Sequence, residues 1–128
     1  MKVFDKRNAV KFFEAKLDFT TGPAELDHMI QRSERVNILD VRTPDSYRKG
    51  HVPGAINIPE DRWDTAEGLS QTGLNVFYCS TQQCHLSSRA ALHFARKGYR
   101  VMVLEGGWKA WQEYGLREET GERQQQAA

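Results

Sequence analysis

The sequence predicts an α/β fold in which about five mainly parallel strands form a central sheet with helices on both faces. Three short apolar runs support this prediction: "RVNILDV" at 35–41, "LNVFYC" at 74–79 and "YRVMVL" at 99–104. They are largely continuous rather than alternating, which is typical of strands buried on both faces of a parallel sheet. Helical patterns lie between the runs, as a helix-covered sheet requires. Ligands of such folds bind beyond the carboxyl ends of the strands, so we expect the functional site there.

Two amphipathic helices are predicted before the first of these strands. The first covers roughly residues 4–16. The second opens at Gly22-Pro23, because proline is favoured at the first position of a helix. In both, apolar side chains recur at three- and four-residue steps. They are Phe4, Val10, Phe13 and Leu17 in the first helix, and Leu26, Met29 and Ile30 in the second.

The central part of the chain contains turns and short elements. The segment "TPDSY" turns the chain into a short helix around residues 44–48. Pro53-Gly54 indicates a second turn, and a short strand follows at 55–58. Residues 60–72 are polar and irregular, with one helical turn expected near Trp63.

The second half predicts strand, helix, strand and helix in turn. The strand that ends at Cys79 leads through a polar loop into a helix with Ser87 as its N-cap and Gly98 as its stop. The next strand ends at the turn Glu105-Gly106-Gly107, and a short helix carrying Trp108 and Trp111 follows. These tryptophans, at helical spacing, are interpreted as core residues.

The charge balance argues against two classes of partner. The chain has 18 basic and 17 acidic residues and a formal net charge of +1. This balance gives no electrostatic basis for binding nucleic acid or an anionic membrane, so neither is expected as a partner. No stretch approaches the ~20 apolar residues of a membrane span, and the first residues lack the apolar segment of a secretory signal. A cytoplasmic location is therefore expected, where thiols stay reduced.

Cys79 and Cys84 are the strongest candidates for residues that take part in a reaction. A cysteine is a useful nucleophile only as the thiolate, which the N-terminus of the following helix or a nest of loop N–H groups stabilises. His85 and Arg89 could add positive charge. From the loop alone, a small buried side chain is an equally good interpretation of Cys79. A metal site is a weaker one, because the C-x4-C-H spacing lacks a second ligand pair. A transient Cys79–Cys84 disulfide is also feasible.

Three stretches resemble the signatures of rhodanese-like sulfurtransferases. In "LDVRTPDSYRKGHVPGAINIP", three residues separate an aromatic residue, Tyr47, from His51-Val52-Pro53-Gly54-Ala55. "VMVLEGGWKAW" resembles the family's C-terminal signature, and "VFYC" with the polar loop after it resembles the active-site segment. The stretches occur in the family's order and span about residues 20–116. Together they are a specific match.

The resemblance implies a single-domain rhodanese-like three-layer fold and a sulfurtransferase. Cys79 would take a sulfane sulfur as a persulfide from a small donor such as thiosulfate or a persulfide. A thiol, cyanide or a protein would then accept the sulfur. No metal or organic cofactor is implied. Asp40 and Arg42 would form a buried polar network that shapes the cysteine loop, the polar segment that follows Cys79. His51 could act as a base, but we expect a structural role in which it hydrogen-bonds the loop backbone before Pro53-Gly54. The residues expected to contact substrate are Ser80, Thr81, Gln82, Gln83, Cys84, His85, Leu86, Ser87 and Arg89.

The cysteine loop departs from the common family pattern in two ways. Ser87 stands eight residues after Cys79, whereas the usual serine stands six residues after the cysteine, so this loop is two residues longer. Leu86 occupies the place of the usual loop-end arginine, which would hold an anionic donor. The longer loop with its inner cysteine resembles a rhodanese subgroup with C-x4-C in this segment. Leu104 and Ala110 also depart from the C-terminal signature, which we interpret as changes in packing.

The predicted organisation leaves some alternatives open. We expect a helical extension at 1–18, the rhodanese-like domain at 19–117 and a disordered tail at 118–128, the chain being a monomer or a homodimer. The helical extension lies outside the resemblance and could cover a sheet edge or make a dimer contact. One alternative function is a thiol redox switch that uses a Cys79–Cys84 pair. Another is a non-catalytic rhodanese-like binding module.

Overall fold

The fold is a five-stranded, entirely parallel sheet with helices on both faces, as the sequence predicts. The computed structural model describes residues 3–32 and 34–121. The sheet order is β1-β5-β4-β2-β3. In chain order the elements are α1 (Lys6–Phe19), β1 (Thr20–Thr21), α2 (Pro23–Gln31), β2 (Val36–Asp40), α3 (Pro44–Lys49), β3 (Ile56–Asn57), a 3-10 helix (Glu60–Thr65), β4 (Leu74–Tyr78), α4 (Leu86–Arg96), β5 (Arg100–Leu104) and α5 (Gly107–Glu113).

Two apolar clusters, one on each face of the sheet, account for the buried strands. Successive side chains of a strand point to opposite faces, so neighbouring residues of β4 enter different clusters. Tyr78 packs with α2, α3 and α5 through Leu26, Tyr47 and Trp111. Phe77 and Cys79 pack with α4 and the 3-10 helix, whose buried members are Ala90, Ala91, Phe94 and Trp63. Because both faces are covered, the strand sequences read as continuous apolar runs.

The parallel register brings the carboxyl ends of three strands to one edge of the sheet. Asp40 at the end of β2 pairs with Tyr78 at the end of β4, and Phe77 pairs with Val103 near the end of β5. Asp40, Cys79 and Glu105 therefore lie at the same edge. Ligands of parallel α/β sheets bind at this edge.

The first helix does not bury its apolar face. No residue of α1 is buried, and Val10, Phe13 and Leu17 are all exposed. The helix lies against the sheet edge formed by β1, a two-residue strand that pairs with β5 and that the sequence did not predict. No described helix is both long and apolar enough to cross a bilayer.

Two local predictions require correction. The N-cap of α4 is His85 rather than Ser87, which is buried within the first turn of a helix that begins at Leu86. The predicted tail also begins too early. Glu119 forms a backbone bridge with His51, and the Gly121 N–H donates to the carbonyl of Arg48. These hydrogen bonds hold residues 118–121 against the domain, and residues 122–128 lie outside the described part of the chain.

Candidate active site around Cys79 and Cys84

Cys79 follows the last residue of β4 and lies at the start of the loop that leads into α4. It is only 4% exposed and packs in the apolar cluster with Phe77 and Phe94. Its position combines the two interpretations drawn from the sequence. The side chain is buried like a core residue, yet it stands at the edge of the sheet where ligands bind.

The loop brings Cys84 back onto Cys79, and the two sulfurs form a disulfide bond. The Cα atoms of the two cysteines are 6.5 Å apart. A turn in which the Cys84 N–H donates to the Thr81 carbonyl at 3.2 Å closes the loop. Cys84 is partly exposed, whereas Cys79 is not. The two thiols that look equivalent in the sequence are thus an inner and an outer member of one pair.

The start of α5 holds the backbone of the cysteine loop. The Trp108 N–H donates to the Cys79 carbonyl at 2.8 Å, and the Lys109 N–H donates to the Ser80 carbonyl at 2.9 Å. This contact requires Gly107, whose φ of +61° favours glycine. A Cβ at this position would lie 2.5 Å from the Cys79 carbonyl oxygen. The glycine turn after β5 therefore lets α5 approach the cysteine loop closely.

Gly107→Ala is expected to lower the free energy of unfolding by about 2–4 kcal/mol, through about 1 kcal/mol of backbone strain plus the cost of the clash with Cys79. Gly115→Ala is the matched control, because Gly115 has a φ of +67° and a Cβ added there would meet nothing within 4 Å. We expect it to cost about 1 kcal/mol. Urea unfolding of both variants measures the difference, and equal losses would show that the close approach to Cys79 is unimportant.

A buried polar network lies beneath the site. The guanidinium of Arg42 makes hydrogen bonds to both carboxylate oxygens of Asp40, the shortest at 2.6 Å, and a further one to the carbonyl of Gly50. The hydroxyl of Tyr78 donates to Asp40 at 2.6 Å and accepts from the N–H of Val52 at 3.1 Å. The network that the sequence predicts is present, with Tyr78 as an added member.

The network contacts two residues that position the backbone of Cys79, namely Tyr78 and Trp108. Burial, together with the charge and hydrogen bond of Asp40, raises the pKa of Tyr78 well above its ordinary value, so the hydroxyl keeps its proton. The Arg42 guanidinium lies 5.5 Å from the Tyr78 ring centroid and 5.0 Å from that of Trp108. Tyr78 precedes Cys79, and the Trp108 N–H donates to the Cys79 carbonyl. The network therefore supports the backbone at Cys79 without contacting its sulfur.

His51 lies away from the cysteine loop. It is buried, its ring stacks on that of Tyr47 at 3.8 Å between centroids, and its Nδ1 is 2.8 Å from the Tyr47 carbonyl oxygen. Its Nε2 lies 3.8 Å from the carboxylate of Glu119. These contacts fit the structural role expected of His51, with its ring hydrogen-bonded to the backbone of α3.

Of the nine residues predicted to contact substrate, five line a cavity beside Cys84 and four do not. The five are Thr81, Gln82, Cys84, His85 and Ser87. Arg89 instead lies at a shallow hollow with Trp63 and forms an exposed ion pair with Glu60 at 3.0 Å. Leu86 packs against the apolar cluster of α4, and Gln83 is exposed. Ser80 takes part through its backbone carbonyl.

A polar chain that sequence reasoning missed links α1 to the cysteine loop. The Lys16 ammonium donates to the Glu105 carboxylate at 2.8 Å, and the Gln82 amide donates to the same carboxylate at 3.3 Å. The Gln82 carbonyl oxygen also accepts from the Gly106 N–H. The hydrogen bond from Lys16 is the main reason that the pKa of Glu105 is lowered. No sequence signal identifies this chain, because 89 positions separate Lys16 from Glu105.

The titratable side chains do not form a metal centre in the part of the chain that the structure describes. No group of three or more histidine, cysteine, aspartate and glutamate side chains has a suitable arrangement there. Cys79 and Cys84 are bonded to each other.

Known proteins match both the sequence and the fold. The family model described as the rhodanese-like domain matches residues 22–114. The chain is 27% identical to the thiosulfate sulfurtransferase GlpE of Stutzerimonas stutzeri, covering 73% of this chain and 85% of that protein. It is 33% identical to an HTH-type transcriptional regulator of Mycobacterium tuberculosis, covering 69% of this chain but 40% of the regulator.

A solved structure extends the similarity to nearly the whole chain. The BH2092 protein of Bacillus halodurans superposes with a TM-score of 0.82 at 31% identity, covering 91% of this chain and 87% of that one. Several curated relatives are longer proteins, and the chain spans between 24% and 40% of their length. The family-model match over most of the chain, the parallel five-stranded sheet and the cysteine loop at its carboxyl edge together show that the chain belongs to the rhodanese-like family.

Proposed function

We propose that this protein is a sulfurtransferase that carries a sulfane sulfur as a persulfide on Cys79. The observation that carries the proposal is the position of Cys79 at the carboxyl end of β4, in a loop held by the backbone of α5. A relative with 27% identity is described as a thiosulfate sulfurtransferase, which supports the same chemistry here.

The first step is the capture of sulfur. The thiolate of Cys79 attacks the outer sulfur of the donor and forms a new S–S bond, while the S–S bond of the donor breaks. With thiosulfate, sulfite leaves with the bonding electron pair. With a persulfide donor, the donor's thiolate leaves instead. Both routes require a reduced Cys79, so the Cys79–Cys84 disulfide must open first.

The second step passes the sulfur to a thiophilic acceptor. A thiol, cyanide or a protein thiolate attacks the outer sulfur of the Cys79 persulfide, and the Cys79 thiolate leaves. The charge of the loop bears on the donor. Leu86 supplies no positive charge, and Arg89 is paired with Glu60 on the side of the 3-10 helix. A persulfide donor is therefore favoured over thiosulfate, whose sulfonate group needs a cation.

A second candidate function rests on the disulfide itself. The Cys84 thiolate attacks the inner sulfur of a Cys79 persulfide, which forms the Cys79–Cys84 disulfide and releases hydrosulfide. When a peroxide has oxidised Cys79 to a sulfenic acid, the same attack forms the same disulfide and releases hydroxide, which takes a proton from solvent to give water. The pair would then act as a thiol redox switch in the cytoplasm, the proposed location, where cellular thiols reduce it again.

The mass of the intact protein after incubation with a sulfur donor tests the proposal. The dithiol form, freed from reductant, is expected to gain the mass of one sulfur atom from thiosulfate or an alkyl persulfide, and to lose it to cyanide as thiocyanate. The disulfide form is expected to gain nothing. If the dithiol form takes no sulfur from either donor, the protein is not a sulfur carrier and a non-catalytic binding module becomes the better interpretation.

A further inference from the structure

A cavity of about 730 Å³ lies between α1 and the cysteine loop. Its size falls in the range of small-molecule sites, about 300–1,000 Å³. The exposed helix α1 forms one wall, β5 lies along another, and the loop and the start of α4 complete it. The apolar part of the lining comes mainly from Phe12, Phe19, Ala91, Val101 and Val103.

One cysteine of the disulfide, Cys84, belongs to the lining of the cavity. Cys84 lines it, while Cys79 does not and is 4% exposed. A molecule in the cavity would therefore contact Cys84 rather than Cys79. Disulfide exchange depends on which sulfur the attacking thiolate can reach.

The wall of α1 is held in place by polar contacts at the rim. Lys16 and Glu105, both lining the cavity, form an ion pair at 2.8 Å, with their side chains 41% and 32% exposed. Gln82 joins the same carboxylate from the cysteine loop. Because the lysine and glutamate charges offset each other, the rim adds no net charge that would select a thiol with a further charged group. Two exposed aromatic rings of α1, Phe12 and Phe19, line the cavity that a bound molecule would occupy.

We propose that this cavity binds an apolar thiol, which reduces the Cys79–Cys84 disulfide by attacking the sulfur of Cys84. This proposal rests on the redox cycle of the proposed function and adds the class of reductant. Helix α1, which lies outside the matched family domain, would form one wall of the reductant site.

Reduction of the Cys79–Cys84 disulfide consumes two thiol molecules. The first thiolate attacks the Cys84 sulfur, the Cys79–Cys84 bond breaks, and Cys79 leaves as the thiolate that sulfur capture requires. A mixed disulfide remains on Cys84. A second thiolate attacks the thiol-derived sulfur of this mixed disulfide and releases Cys84 as a thiolate. Two thiols are thereby oxidised to one small disulfide, and the protein disulfide is reduced to the dithiol.

Rates of disulfide reduction by benzyl mercaptan and by 2-mercaptoethanol test this proposal. Each rate constant is expressed per thiolate and divided by that of the same thiol with a small dialkyl disulfide, which removes differences in intrinsic nucleophilicity. Wild-type protein is expected to prefer benzyl mercaptan by about tenfold after this correction, because burial of its ring favours binding. A corrected ratio near one would overturn the proposal.

Substitutions in α1 test whether the preference for benzyl mercaptan arises in the cavity. Phe12→Ala is expected to lower the corrected ratio by about threefold or more, because it removes apolar surface from the wall. Phe13→Ala is the matched control: Phe13 is 57% exposed, like Phe12 at 62%, but does not line the cavity. Its ratio should equal that of the wild type. Equal losses in both variants would place the preference outside the cavity and contradict the proposal.

A separate experiment shows which of the two cysteines the thiolate attacks. Rapid quenching with iodoacetamide after the first step, followed by peptide mapping, should find the benzylthio group on Cys84 and the alkyl label on Cys79. The reverse pattern would contradict the proposal. These experiments involve no sulfur donor, so the absence of sulfur transfer and the absence of a thiol site give different results.

Discussion

Cys79→Ser is expected to abolish the gain of a sulfur atom from either donor, whereas Cys84→Ser is expected to retain it. The serine hydroxyl is not ionised at neutral pH and cannot replace a thiolate. Cys79 stands at the end of β4 with its carbonyl held by the Trp108 N–H, while Cys84 lies in the outer part of the loop. Intact-mass measurement of both dithiothreitol-reduced, desalted variants tests the assignment.

The lifetime of the Cys79 persulfide shows whether Cys84 resolves it. In the wild type, Cys84 resolves the persulfide and releases hydrosulfide, so the added mass should decay to that of the disulfide form. In Cys84→Ser the added mass should persist until an acceptor is supplied. Uptake of sulfur by Cys79→Ser but not by Cys84→Ser would reverse the two roles. Thermal unfolding of both variants against the reduced wild type provides the control for folding.

Arg42→Met is expected to lower the free energy of unfolding by about 3–5 kcal/mol, the largest loss of stability among the substitutions considered. The side chains of Arg42 and Asp40 are 6% and 0% exposed. Removal of the guanidinium leaves the Asp40 carboxylate buried without its counter-charge. Tyr78 still donates one hydrogen bond, which replaces only part of what is lost. Urea unfolding measures the change.

Two further variants separate charge from other effects of Arg42→Met. Combining it with Asp40→Asn should recover part of the lost stability, because no unpaired charge is then buried. Arg89→Met removes an arginine from an exposed ion pair, where both side chains are more than half exposed. It should change the stability by less than about 1 kcal/mol. A comparable loss in Arg42→Met and Arg89→Met would show that the buried network contributes little.

The sequence was sufficient to predict the fold class, four of the five strands and the position of the candidate nucleophile. Strands such as Leu74–Tyr78 are buried on both faces, so their apolar character is continuous and easily recognised. The residue after such a strand lies at the binding edge by topology alone, which identified Cys79. The buried pair Asp40–Arg42 was also predicted, because its members are two positions apart and belong to a matched motif.

Features that depend on distant parts of the chain were not predictable. The periodicity of α1 indicates an apolar face but not what covers it, and the structure leaves Val10, Phe13 and Leu17 exposed. A strand of two residues, such as β1, is too short to show any periodicity. The contact between Gln82 and Glu105 and the cavity beside Cys84 arise from tertiary packing. Their residues carry no local pattern that links them.

The contacts of α1 and the cysteine loop with later parts of the chain have a consequence for the order in which they form during synthesis. Helix α1 is made before its partner Glu105, which follows Lys16 by 89 positions. At the usual rate of translation, about 5–20 residues per second, this separation corresponds to about 4–18 s. The backbone donors of Trp108 and Lys109 emerge later still. The cysteine loop is therefore translated before the residues that hold it, so its contacts with α5 form only after α5 has been synthesised.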